Sequence, residues 1–448
     1  MKILLIAPAS GHWRGITKKR LFNGKTFRFS MLSLLTVAEL STDDTDIRIV
    51  DEQVEPIPEG EHFDLVGITA MTAAAPRAYT LARRFRSRGI PVVLGGYHAT
   101  LNPDEAGQHV DAVVVGCAYG AWERIVEDVR TGNLKSVYYG DPERTPARTL
   151  PRHLMQSSKY VTLNATYATI GCTNRCRFCS INAFHDGKRY HRPVQDVVDE
   201  VAGFEKSLFM LVDDNLTQDR EYCRKLLEGL VPLRKKWITQ ASIDITDDDN
   251  LLRLLREAGC IGVFIGLETF NDKNLGEQDK GFNTPKRYRQ AVAKLHKRGI
   301  FVESGVVFGF DRDGPEVFRD TLTMLDQIGI DAIQVSILTP LPGTGLYDKM
   351  KNRIFDHDWE HYDFRHAVFT PKHMTASDLQ AGADWVIRTY YSPGRILKRA
   401  LRWMTLPGGI ANLIYPLGLN MAYYGRVKAF GIRGHVPSSQ SAAFTPTM

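Results

Sequence analysis

"YATIGCTNRCRFCS", residues 167–180, runs from a short β-branched strand pattern into a loop that holds Cys172, Cys176 and Cys179. The chain of 448 residues has six cysteines, so three on one loop need a shared task. Thiolates are soft ligands that suit zinc or iron–sulfur clusters. A closed zinc site takes four ligands, most often as two separated pairs. Cys223 and Cys260 fall in helical patterns and Cys117 lies in a separate upstream region. These three read as small buried hydrophobes. Three thiolates without a fourth fit a cubane cluster whose remaining iron is open to a substrate or cofactor.

The run before the loop opens a repeated series. Strand-like stretches follow at "FMLVDD", "ITQASIDI", "GVFIGLE", "FVESGVVFGF" and "AIQVSIL". Helical patterns separate them, among them "EYCRKLLEGLVPLRKK" and "PKRYRQAVAKLHKRG". Six βα units predict a parallel barrel, incomplete because eight close a full one. Such barrels carry their chemistry at the carboxyl ends of the strands, where the cysteine loop falls.

Upstream, "ILLIA", "DIRIV", "DLVGIT", "PVVLGG" and "DAVVVG" alternate with helical patterns. That order predicts a doubly wound parallel sheet of the Rossmann type. Ligands of such sheets sit at the strands' carboxyl ends, where Thr69, Thr72, Gly95, Gly96 and Gly116 cluster. Glycines there let a ligand approach the backbone. The Pro- and Arg-rich "GDPERTPARTLPRHL" reads as a linker. The chain thus divides into an α/β sheet domain (1–145), a partial (β/α)6 barrel (146–350) and a basic, mainly helical extension (351–448).

Composition is that of an ordinary globular protein, 43% hydrophobic and 24% charged. "MKILLIAPAS" reads as a buried first strand rather than a secretion signal. No uncharged apolar stretch reaches the roughly 18 residues of a spanning helix. A cytoplasmic location is expected, where reducing conditions disfavour disulfides. Residues 385–448 carry eight lysines and arginines and no acid, against +6 for the whole chain. With its interleaved apolar residues this tail fits a cap on the barrel, or an element lying on an anionic membrane surface. Pro407, Gly408, Gly409 and Pro416 interrupt any long helix and favour the cap. No nucleic-acid recognition motif accompanies the charge, so nucleic acid is not an expected partner.

The spacing C-x-x-x-C-x-x-C, with Phe178 before the last cysteine and after the first strand of a six-unit barrel, resembles the radical S-adenosylmethionine superfamily. The resemblance implies that Cys172, Cys176 and Cys179 hold a [4Fe–4S] cluster and that Phe178 borders it. S-adenosylmethionine would chelate the open iron. One electron, from an external donor of the flavodoxin or ferredoxin type, would release a 5′-deoxyadenosyl radical. "LVDDN" resembles the segment that holds the methionine amine, with Asp213 and Asp214 in place of the usual Gly-Gly-Glu. Carboxylates there would make charge-assisted hydrogen bonds to an ammonium. "FIGLET" and "GVVFGF" resemble stretches lining the adenosine, which implies polar contacts from Glu268 and Ser242 and close approach at Gly309. "MKILLIAP", "DLVGITAMT", "VVLGGYHATLNPDEA" and "VDAVVVG" resemble the cobalamin-binding domain of the cobalamin-dependent members. Thr69, Thr72, Gly95, Gly96, Tyr97, His98 and Gly116 are then expected to border cobalamin. In "SGHWRG", His12 has the gap to Gly15 of a cobalt-ligating histidine, but Ser10 stands where an aspartate would orient it. Cobalt without a histidine nitrogen is the expectation.

These resemblances imply an enzyme that methylates an unactivated carbon of a small-molecule or lipid-like metabolite. Cobalt and cluster would share one cavity, with the sheet's strand ends facing the barrel mouth. A cyclase, oxidase or rearrangement enzyme with the same cofactors is the alternative, because the cofactor does the hard step and the protein orients it. A tRNA methylthiotransferase would need a second cysteine set upstream, where only Cys117 stands. A corrinoid-binding sensor would leave the barrel motifs without a use.

Overall fold

A computed structural model describes residues 1–11, 31–42, 44–58, 60–144, 150–160, 162–407 and 409–429. The expectations placed on His12 and Gly15 fall outside them.

Strands β1 (Lys2–Ala7), β2 (Asp46–Asp51), β3 (Leu65–Thr69), β4 (Val92–Gly95), β5 (Ala112–Val115) and β6 (Val137–Tyr139) form one parallel sheet, ordered β2-β1-β3-β4-β5-β6. Leu4 and Ile6 pack into one apolar cluster and Ile3 and Leu5 into another. This is the two-sided burial that a parallel sheet between helices demands. Helix Ala75–Arg86 covers the first face; helices Leu32–Glu39 and Trp122–Thr131 cover the second. The strand order reverses between β1 and β3, so a ligand crevice is expected beyond their carboxyl ends. Strand β6 has no counterpart in the sequence reading. It lies at the sheet edge with Val137 and Tyr139 exposed, so its sequence carries no apolar run.

The second sheet is also parallel. β7 (Ala165–Thr166), β10 (Leu208–Leu211), β11 (Lys236–Gln240), β12 (Cys260–Glu268), β13 (Phe301–Phe308) and β14 (Ala332–Ile337) lie side by side in that order. Helices between successive strands bury Leu226, Leu255, Leu295 and Leu325 against it. This is the expected partial barrel, with two corrections. The barrel's first strand is Ala165–Thr166; the chain then turns, and β8 (Thr169–Gly171) pairs antiparallel with β9 (Arg189–His191). Cys260, read as helical, opens β12 instead, because the helix before it ends at Glu257 and Gly259 turns the chain at positive φ.

Helices Ala376–Tyr390, Pro393–Met404 and Gly409–Ala429 close the far side. The first starts with a capping box between Thr375 and Asp378. Pro416 does not break the last one; the helix continues through it. Buried Asp331, just before β14, ties the region down. It accepts from Trp403 Nε1 at 2.7 Å, an Arg402 guanidinium nitrogen at 2.6 Å and the Val302 amide at 2.8 Å, while its carbonyl accepts from Asn420. Among the described residues no helix is long and apolar enough to cross a membrane.

Candidate active site

Gly171 decides where the cysteine loop begins. Its φ is +81°, and a Cβ there would lie 2.3 Å from the Lys188 carbonyl oxygen, so only glycine fits. The loop then carries Cys172, Cys176 and Cys179 to the barrel mouth. Burial raises all three thiols, Cys176 to about 12, and each is also raised by a neighbouring thiol or carboxylate and lowered by Lys280. Among the described residues no three His, Cys, Asp or Glu side chains converge to hold a single metal ion. Three thiols on one loop that feel one another's charge suit a cluster that each would hold through a separate iron.

Lys280 was not foreseen from sequence. Its ammonium pairs with Glu268 and lies 5.7 Å from the centre of the Phe178 ring. Burial alone would lower its pKa; Glu268 and the Cys176 sulfur more than offset that and raise it. A held cation beside three thiols offsets the negative charge that a thiolate-bound cluster brings. Glu268 sits at φ +64° after a register shift in β12, with its carboxylate over Gly266 and facing Gly305 on β13. Phe178 packs edge-on against Phe310 at 6.4 Å.

The two aspartates of "LVDDN" part company. Asp213 is fully buried and points back into the fold. It accepts from the Thr169 amide (2.6 Å), the Thr169 hydroxyl (2.7 Å) and the Ala168 amide (3.2 Å), which fixes the turn between β7 and β8. This corrects its expected place beside the methionine amine. Asp214 points the other way, accepts one bond from the Gly171 amide at 2.7 Å, and lines a cavity. Ser242 is held by Asn215, whose Nδ2 donates to its hydroxyl at 2.6 Å. Gly309 is a second correction. A Cβ there would meet Leu379 and Phe369 at 3.0 and 3.1 Å, so its missing side chain makes room for the C-terminal region, not for a ligand.

The cavity measures about 660 Å³ and belongs to both sheets. From the first come Thr69, Thr72, Gly95, Gly96, Tyr97 and Gly116; from the barrel side come Tyr167, Ile170, His185 and Asp214. Gly96 has φ +93° and packs its Cα against Thr69 and the Ala70 backbone; Gly116, at φ +83°, faces open space. From these strand ends the cavity continues along the sheet face as an apolar slot between Leu5, Val93, Val114 and Trp122. The glycine-edged strand ends would admit a flat ring and the slot an apolar group, which suits cobalamin. Tyr97 bridges the two halves. Its ring lies 4.8 Å from that of Phe184, and burial, then the Asp214 and Cys179 charges, push its hydroxyl upward. His98 is the third correction. It is sealed behind the strand ends, bonded to the Tyr79 hydroxyl at 2.8 Å and edge-on to Trp359.

Residues 28–126 match the B12 binding domain and residues 166–325 match the Radical SAM superfamily. Over 399 residues the chain is 31% identical to the bacteriochlorophyllide d C-12(1)-methyltransferase of Chlorobaculum tepidum, covering 85% of this chain and 88% of that one. The chain belongs to the cobalamin-dependent radical S-adenosylmethionine enzymes. The anaerobic magnesium-protoporphyrin IX monomethyl ester cyclase of Rubrivivax gelatinosus is 26% identical over 384 residues, covering 75% and 68% of the two chains. The fold is shared with the radical S-adenosylmethionine methyltransferase TsrM of Kitasatospora setae, solved with cobalamin and a [4Fe–4S] cluster bound. The TM-score is 0.65 at 15% identity, over 95% of this chain and 99% of that one. The cofactors of this enzyme are accordingly a [4Fe–4S] cluster, S-adenosylmethionine and cobalamin, and the thiol loop and the glycine-edged cavity suit them.

Proposed function

We propose that this enzyme methylates an unactivated carbon on a tetrapyrrole or a similarly flat, largely apolar small molecule. The observation that carries the reading is the single cavity bounded by the cobalamin-side strand ends and by Asp214 and His185 of the barrel mouth. The kinship with a bacteriochlorophyllide methyltransferase over most of both chains supports the substrate class. When bound, S-adenosylmethionine and the cluster supply a hydrogen-abstracting radical, and cobalamin supplies the methyl group. The chain's own residues hold and shield these parts. Cys172, Cys176 and Cys179 hold the cluster, with Lys280 balancing its charge. Asp214 accepts from the methionine ammonium. Gly95 and Gly116 would let a corrin approach the backbone, and the apolar slot between Leu5, Val93, Val114 and Trp122 would take an apolar part of cobalamin. The electron comes from an external donor.

Anaerobic incubation with methyl-deuterated S-adenosylmethionine and a magnesium chlorin tests the reading. A product carrying an intact trideuteromethyl group on carbon is expected. The cyclase relative gives the second reading its basis. An unlabelled product with hydrogens lost, or a ring gained, would establish that reading and defeat methyl transfer.

We further propose that the C-terminal helices touch an anionic membrane surface while they cap the barrel. Leu397, Leu401 and Met404 recur on one face of helix Pro393–Met404 and are exposed, Leu397 by 59%. Ile414 on the next helix is 68% exposed. Lys398 flanks them, and no acid follows residue 384. Apolar area beside basic charge favours anionic lipid. Sedimentation with anionic vesicles should pellet the protein at low salt, and Leu397→Ser with Leu401→Ser should release it. Equal pelleting with neutral vesicles, or none with either, would leave these helices a cap alone.

A further inference from the structure

His185 ends a short helix that starts immediately after the third cluster cysteine. The next residue, Asp186, turns the chain at φ +52° and leaves the imidazole at the barrel mouth. The ring rests on Phe184, with centroids 4.6 Å apart, and lines the shared cavity. It is the only imidazole doing so among the described residues. Among the described residues neither ring nitrogen has a hydrogen bond, and neither is sealed off as the unpaired Nδ1 of His98 is. Burial lowers its pKa to about 4, so the ring is neutral near pH 7 and keeps a lone pair.

The other donors near it are committed or unsuited. The Tyr167 hydroxyl is bonded to that of Tyr119. Asp214 accepts from Gly171. Asp363 accepts from His366 and from its own turn through Oδ1, and its Oδ2 is buried away from solvent. Tyr97 is a neutral phenol, a poor electron-pair donor to a metal. A neutral imidazole in an otherwise largely apolar chamber is the usual nitrogen donor to a metal, and haem proteins show it filling the axial position of a metal already held by four ring nitrogens.

We propose that His185 is the axial ligand to the central metal of a metallated tetrapyrrole substrate. This rests on the substrate class proposed above. The imidazole lone pair replaces an axial solvent molecule, so no proton or electron is gained or lost. One coordinate bond from a fixed ring sets the height and tilt of the macrocycle in the chamber. It therefore helps select which edge carbon meets the reacting groups. His185 is a positioning residue, not a catalytic one. The proposal also gives the site a means of telling a metallated pigment from its metal-free counterpart.

The test compares binding of magnesium chlorophyllide and metal-free pheophorbide to the reconstituted full-length enzyme, followed by pigment absorption. The wild type should bind the magnesium pigment at least about tenfold more tightly, with the band shift of an axial nitrogen. In His185→Ala the preference should vanish while pheophorbide binding and cluster absorbance persist. Added imidazole should then restore the shift. An unchanged preference in His185→Ala would overturn the proposal and leave the methyltransferase reading standing. If the wild type bound neither pigment, the tetrapyrrole reading itself would fail first. Nitrogen splitting on cobalt(II) that disappears in His185→Ala would assign the ring to cobalamin and overturn the proposal by another route. His185→Gln, similar in volume with a weaker donor, controls for packing and should behave like His185→Ala.

Discussion

Cys172→Ala, Cys176→Ala and Cys179→Ala are each expected to lose the iron–sulfur absorbance and all cleavage of S-adenosylmethionine. Cys117→Ala, Cys223→Ala and Cys260→Ala should keep both. The separation follows from position. The first three share the loop at the barrel mouth and perturb one another electrostatically. Cys223 and Cys260 are completely buried in the barrel core, where burial pushes each thiol to about 12. They pack as apolar groups. Cys117 lines the cavity on the cobalamin side, next to Gly116. Loss of the cluster in Cys223→Ala, with the fold intact by circular dichroism, would show the ligand set to be wrong.

The second large effect should come from Asp213→Ala. Removing this carboxylate strands two amides and a hydroxyl in a site with no exposure. A buried donor without a partner costs about 1–3 kcal/mol, so a loss on the order of 3–5 kcal/mol is expected for the group. Urea denaturation at unchanged m would read it. The cluster should also become labile, because the turn that Asp213 fixes leads into Gly171 and Cys172. Asp214→Ala strands only the Gly171 amide and should cost less stability, about 1–3 kcal/mol, while weakening S-adenosylmethionine binding by about 1.5–3 kcal/mol, as when a charged hydrogen bond is lost. Wild-type stability in Asp213→Ala, or equal effects of the two substitutions on binding, would contradict the division of labour between them.

That pair shows where reading residues in order stops. Both parallel sheets were legible because their strands are β-branched, buried on both faces and bounded by Gly or Asp. The cysteine loop was legible because soft ligands at close spacing have few other uses. Which way a side chain points after a strand ends was not. Asp213 and Asp214 are neighbours, and neighbours on extended chain face opposite sides; one holds a turn and the other lines the cavity. Gly309 and His98 failed for the same reason. Each stands in a ligand-like stretch, yet one accommodates Leu379 and Phe369 and the other is closed in by Tyr79 and Trp359. Lys280 and His185 carry no periodic signal at all. "EQDKGF" and "NAFHDG" read as loop and helix end, and only the fold brings them beside the thiols and the cavity.

Cobalamin and the cluster are expected to lie next to each other, on either side of Asp214. Electron paramagnetic resonance of the reconstituted enzyme carrying cobalt(II) tests it most directly, with the cluster first oxidised and diamagnetic, then reduced. Reducing the cluster should speed the relaxation and broaden the lines of cobalt(II), because the cysteine loop starts at Gly171, whose amide is bonded to the Asp214 carboxylate that lines the cavity. The cobalt signal should show no nitrogen splitting. Cobalt relaxation that is unchanged when the cluster is reduced, with both cofactors bound at full occupancy, would place them in separate, distant sites and rule out a shared reaction centre.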